Sequence, residues 1–245
     1  MRRRLVRHGF GADKDFRWRG GEISRLEGLS DAVFAFAVTL LVVSLEVPET
    51  FDELLRVLRG FFAFAVCFAI LFWVWYDHYR FFRRYGLDDG FTTTLTGALL
   101  FIVLFYVYPM KFLFSTLFDQ LFGEAPANVI EPRQVPLLML VYGAGFIAVQ
   151  LVFILLYLHA YGLADRLELD DYERLTTRAE IQGFGLNVAV GLTSIAIVTV
   201  GGPDAAFWSG MAYALIMPLQ IVNGRVMGAR IRRAATTSAQ EPSAS

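Results

Sequence analysis

Three polar residues, Arg25, Ser30 and Asp31, stand at the head of the apolar stretch AVFAFAVTLLVV. A guanidinium, a hydroxyl and a carboxylate at a hydrocarbon boundary can fasten a helix to its neighbours, or they can carry protons. A second polar set, Trp75 and His78, closes another apolar stretch in WVWYDHYRFF. If the two stretches run antiparallel, both sets meet at one membrane edge. A cluster of Ser30, Asp31, His78 and the Trp75 indole N–H would then satisfy groups that lipid cannot. The competing chemistry is a proton relay through Asp31 and His78, which would make the chain a proton-coupled secondary transporter. A non-conducting membrane scaffold is the third alternative. Catalysis has no support: no His, Cys, Asp or Glu group has metal-ligand spacing, and no nucleophile elbow, Ser/His/Asp set or phosphate loop occurs. The chain is expected to be no enzyme and to hold no cofactor or structural metal.

The elements that must position these residues are helices in a bilayer. The composition is 56% apolar and 18% charged, with a mean hydropathy of +0.50, as in a polytopic membrane protein. Uncharged runs cover 32–45, 60–76, 90–110, 134–164, 181–203 and 205–224, which predicts six spans and an all-helical fold. The first run is short, because its rise of about 1.5 Å per residue gives only about 21 Å. A bilayer core is about 30 Å thick, so Asp31 or Glu46 must lie at or inside the hydrocarbon edge. A charge there costs about 2.5–3.5 kcal/mol and needs a partner.

Ser24 and Glu27 have capping-box spacing, which starts the first helix near Ser24 and leaves Ser30 and Asp31 inside it. At about 100° per residue, with Phe36 as origin, Leu29, Ala32, Leu40 and Val43 fall within about 40°, and Thr39 lies near −60°. Asp31 sits about 140° away, on the back. Spacing alone favours lipid contact or packing for the apolar stripe.

All but four of the 22 lysines and arginines fall before the first span, after even-numbered spans or in the tail; the exceptions are Arg56, Arg59, Lys111 and Arg133. The positive-inside rule then puts both termini in the cytoplasm, with the arginine-rich N-terminus as the topology signal. A net charge of −1 and the lack of a binding motif argue against nucleic acid. The expected organisation is a cytoplasmic arm at 1–22, a six-helix domain at 23–230 and a disordered tail at 231–245. No cleavable secretory signal is expected, and Cys67 is expected to pack. Tyr108-Pro109 is expected to close or kink the third helix. Gly143, Gly145, Gly183, Gly185 and Gly191 should let helices approach closely, with Gln150, Asn187, Gln220 and Asn223 bonded between helices. His159 is expected to be an interfacial histidine with a satisfied ring.

The stretch Arg25-Leu26-Glu27-Gly28-Leu29-Ser30-Asp31, followed by AVFAFAVTLLVV and by Trp75-x-x-His78, resembles the transmembrane protein 175 family of potassium-permeable channels. That family carries Arg-x-x-x-Phe-Ser-Asp in its first helix; Leu29 replaces the phenylalanine here. The resemblance implies a homotetramer of six-helix subunits in the plasma membrane, with first helices lining a central pore for potassium. It implies that Arg25, Ser30, Asp31, Trp75 and His78 form a structural network. It also implies an apolar constriction at Phe36, where the family usually has isoleucine or leucine, with Thr39, Leu40 and Val43 lining the path beyond. A ring of four apolar side chains can gate by dewetting, and no TVGYG-like filter occurs.

Overall fold

The computed structural model describes residues 7–8, 16–43, 49–51, 54–55, 58, 60–122 and 130–240, without side chains at 7–8, 43, 132 and 230–240. A short antiparallel pair, β1 (Arg7–His8) and β2 (Arg17–Trp18), precedes the helices α1 (Arg25–Val43), α2 (Phe61–Tyr85), α3 (Gly90–Leu121), α4 (Val135–Gly162), α5 (Asp171–Gly201), α6 (Ala206–Ala212) and α7 (Ile216–Gln240). Helices α2 to α5 and the segment Pro203–Ala229 are each long and apolar enough to cross a membrane. Helix α1 carries Arg25, Glu27 and Asp31 on 19 residues, a length of about 28 Å. With α1 as the first membrane helix, the chain is an all-helical integral membrane protein of six spans, as its composition predicts.

Local chemistry sets the ends. Helix α1 begins with the expected capping box: Ser24 N–H donates to Glu27 Oε1 at 3.0 Å and Glu27 N–H to Ser24 Oγ at 3.1 Å. Helix α2 stops at Gly86, whose φ of +58° suits a residue without a side chain, and whose N–H returns to Phe82 O at 2.9 Å. Asp89 caps α3 by accepting from Thr92 N–H at 2.9 Å, and Asp170 with Glu173 forms a second capping box at α5.

Three features go beyond what spacing suggests. Helix α3 does not close at Pro109 but runs on to Leu121. The Tyr142 hydroxyl donates to Pro109 O, and Tyr106 returns a bond to Tyr142 O at 2.7 Å. The last span is interrupted by a 3-10 turn at Tyr213–Leu215, one turn before Pro218, whose missing N–H cannot bond Ala214 O. The final helix continues to Gln240, through the first part of the expected disordered tail; residues 241–245 lie outside the described residues.

The core runs along the bundle, and its largest aromatic group surrounds the α2 C-terminus. Phe81, Phe82, Tyr85, Phe153 and Tyr157 are fully buried there, together with Phe16 from the N-terminal arm. Along α2 a column of rings runs Phe61, Phe64, Phe68, Phe72, Trp75, Tyr79, with successive centroids 5.3–6.2 Å apart. The spacing of three and four residues stacks these rings on one face.

Candidate pore helix and its fastenings

Helix α1 divides its circumference among three duties. Glu27, Ser30, Phe34, Ala37 and Leu41 are buried against the rest of the chain. Asp31 stands at one edge of that seam, where its Oδ1 accepts from the Trp75 indole N–H at 2.8 Å. Away from both lie Leu29 and Phe36, each 57% exposed, with Ala32 and Thr39 also exposed. Leu40 is half-buried and packs partly on the core, and the Val43 side chain lies outside the described residues. Thr39 Oγ donates to Phe36 O at 2.7 Å. That bond uses the hydroxyl proton, so the oxygen turns lone pairs outward.

The polar signature assembles only in part as expected. Trp75 and Asp31 pair, but Ser30 does not join them: its hydroxyl donates to Leu26 O at 2.8 Å, within its own helix. A serine buried in a helix is satisfied at least cost by the carbonyl four residues back, with no second helix to be ordered. His78 is 2% exposed and sits between Phe34 and Phe82, with centroids at 6.1 and 4.6 Å. Its Nε2 has no hydrogen-bond partner among the described residues. It therefore meets α1 through a ring contact, which gives no support to a relay from Asp31. Arg25 is exposed on the single chain. A cavity of about 270 Å³ opens between α1 and α2, lined by Asp31, Ala35, Val38, Phe68, Phe72 and Trp75.

Charged side chains that spacing did not suggest hold both ends of α1. Glu27, besides capping, takes a salt bridge from Arg83 on α2. At the other end Lys111 on α3 donates to Leu41 O at 3.1 Å, a cation on the carbonyl end of the helix. Arg80 and Arg84 both reach Glu180 on α5, and Arg17 and Arg19 converge on Glu173. The Glu173 hydrogen bond raises the Arg17 guanidinium above its ordinary value and outweighs the desolvation that opposes it. Asp170 and Glu173 have the i, i+3 spacing of a capping box, the one local signal that could have drawn attention to this carboxylate.

The expected interhelical amides form a chain. Asn187 Nδ2 donates to Gln150 Oε1, and Gln220 Nε2 donates to Asn187 Oδ1 and to Gly183 O, each at 2.9 Å. Asn223 Nδ2 reaches Ala179 O at 3.3 Å. Gly145 lies against Tyr106, where an added Cβ would come within 2.2 Å of the ring. His159 bonds Asp89 at 2.7 Å, in agreement with a satisfied interfacial ring. Burial pushes the Asp89 carboxyl up, but the bonds from His159 and Thr92 N–H prevail and hold it below its ordinary value.

The sequence profile described as "Endosomal/lysosomal potassium channel TMEM175" matches residues 25–106, from the first residue of α1 into α3. A protein of Marivirga tractuosa named a potassium channel is 39% identical over 234 residues, spanning 91% of this chain and 95% of its own. A second relative, a potassium channel of Chamaesiphon minutus, is 31% identical over 60% of this chain and 69% of its own. Among solved structures, a variant of the potassium channel MtTMEM175, crystallised with a Nanobody-MBP fusion protein, superposes with a TM-score of 0.79 at 39% identity. The match covers 89% of this chain and 99% of that one. A lysosomal potassium-selective channel TMEM175 homolog from Chamaesiphon minutus superposes with a TM-score of 0.56 at 25% identity, over 81% and 96% of the two chains.

Proposed function

The chain belongs to the TMEM175 family of potassium channels, and from that membership we propose that it forms a potassium-preferring channel whose path is lined by α1 of four identical subunits. The observation that carries this reading is the division of α1. Glu27 and Asp31 bond α2 at the seam, and the face with Leu29, Ala32, Phe36 and Thr39 is left exposed among the described residues. Four such faces around an axis make an apolar constriction at Phe36, with a ring of Thr39 oxygens about one turn along. Phe36 gates by excluding water, and the Thr39 lone pairs replace part of the hydration shell of a dehydrating cation. Leu40 and Val43 continue the path beyond Thr39.

In this assembly Arg25, Ser30, Asp31, Trp75 and His78 act as structure and never touch the ion. We place the channel in the plasma membrane with both termini cytoplasmic; the arginine asymmetry supports that orientation. Potassium flux into proteoliposomes tests the function. The expected result is passive uptake that follows the potassium gradient, with potassium favoured over sodium. Assembled protein that carries no more potassium than empty vesicles refutes it.

A further inference from the structure

The N-terminal arm, legible in sequence only as a topology signal, is built into the bundle. Phe16 is fully buried, edge-on to Tyr85 at 5.7 Å, with the guanidinium of Arg84 over its ring at 5.0 Å. One residue on, Arg17 meets the Glu173 carboxylate, which is also fully buried and receives a dense set of donors. Its Oε1 accepts from Arg17 N at 2.9 Å, Arg17 Nε at 3.2 Å and Arg19 Nη1 at 3.1 Å; its Oε2 accepts from Arg17 Nη2 at 2.9 Å and Arg19 Nη2 at 2.6 Å. Asp170 N–H adds the capping bond to Oε2 at 3.2 Å. A buried charge so fully met is rigid, because each oxygen is held from several directions.

The same arm leads straight into α1. Gly20 N–H donates to Arg83 O at 3.1 Å, and a Cβ on Gly20 would stand 2.5 Å from Phe82 O, so the chain is pinned against the end of α2. The guanidinium of that same Arg83 bonds Gly21 O at 3.3 Å and Glu27 in the first turn of α1. Glu173, Arg19, Gly20, Arg83 and Glu27 thus form an unbroken series from α5 to the head of α1.

We propose that Glu173 is a positioning residue for conduction: by gripping Arg17 and Arg19 it fixes the arm and, through the arm, the place of the cytoplasmic end of α1 in the pore. The inference rests on the channel function proposed above. Four α1 helices present apolar faces to one another, and water in an apolar constriction is already at a disadvantage. Helices released from their cytoplasmic anchors close onto each other, and the dry, non-conducting arrangement gains population. The pore lining itself is unchanged, so an open channel passes ions as before.

Single-channel recording of the purified full chain in planar bilayers separates the outcomes. Glu173→Gln is expected to assemble to the wild-type yield, with unchanged unitary conductance and reversal potential and an open probability at least threefold lower. Glu173→Asp, which keeps the charge, is expected to recover at least half of the loss. Arg17→Ala removes a side chain that is 36% exposed and leaves Arg19 on the carboxylate. Its expected effect is an intermediate fall in open probability, and it decides the matter if Glu173→Gln does not assemble. Wild-type open probability in the variant that assembles, or fewer channels that each gate as wild type, overturns the inference. Wild-type protein that carries no potassium current overturns the channel function, and the inference with it.

Discussion

Trp75→Phe removes one N–H and leaves a ring in the α2 column, so it isolates the bond that ties α2 to Asp31. The rings before and after Trp75 lie at 5.3 and 5.7 Å, and phenylalanine keeps most of that stacking. The bond itself is 2.8 Å long and its acceptor is a carboxylate. Hydrogen bonds to charged groups contribute about 1.5–3 kcal/mol, whereas interhelical bonds measured in a membrane protein average about 0.6 and reach about 1.7. Asp31 is exposed on the single chain, so water and neighbouring groups compensate part of the loss. The two scales meet near 1.5 kcal/mol. For a chain of this size that lowers the thermal midpoint by about 3–6 °C. The assay is thermal unfolding in detergent at one scan rate for wild type, Trp75→Phe, Asp31→Ala and the double variant. The expected coupling energy is about 1.5 kcal/mol, positive in the sense that the second substitution costs little after the first. Single effects that simply add, within about 0.5 kcal/mol, would refute the fastening role of this pair.

Three further outcomes are expected. Phe36→Ala widens the proposed constriction and should raise unitary conductance while loosening potassium-over-sodium selectivity; an unchanged current removes Phe36 from the path. Asn187→Leu breaks two interhelical bonds of the amide chain and should cost about 1–3 kcal/mol, seen as a midpoint drop of several degrees with ion selectivity unaltered. Asp89→Asn should destabilise the protein at neutral pH, because a carboxyl held below its ordinary value contributes stability above the unfolded value of about 3.9. That contribution disappears as pH falls through the lower folded value, so the gap between variant and wild type should shrink below about pH 4 in melting curves taken from pH 3 to 7.

What could be read from the sequence was what hydrocarbon or local geometry leaves no choice about. Ser24 and Glu27 are three residues apart and could only cap each other. Gln150, Asn187 and Gln220 each sit in an apolar run, where an amide must find another polar group. Asp31 found Trp75 by the same logic. Ser30 misled because a hydroxyl has two ways of being satisfied, and the nearer one won. Pro109 misled because a proline removes one N–H of the ladder without having to end a long apolar helix. Glu173 stayed hidden for a different reason: its partners Arg17 and Arg19 are about 150 residues away, in a segment whose charge already had an explanation. Long-range ion pairs leave no period in the sequence.

The ring column ties one end of α2 to the other. Its rings run from Phe61 to Tyr79 with Trp75 near the C-terminal end, so the indole that grips Asp31 belongs to a continuous series of ring contacts. The far end of the series, Phe61, borders Phe62, whose ring meets Phe118 and Phe122 at the end of α3. One continuous run of ring contacts thus joins the bond at Asp31, near one end of α2, to the packing of α3 at the other.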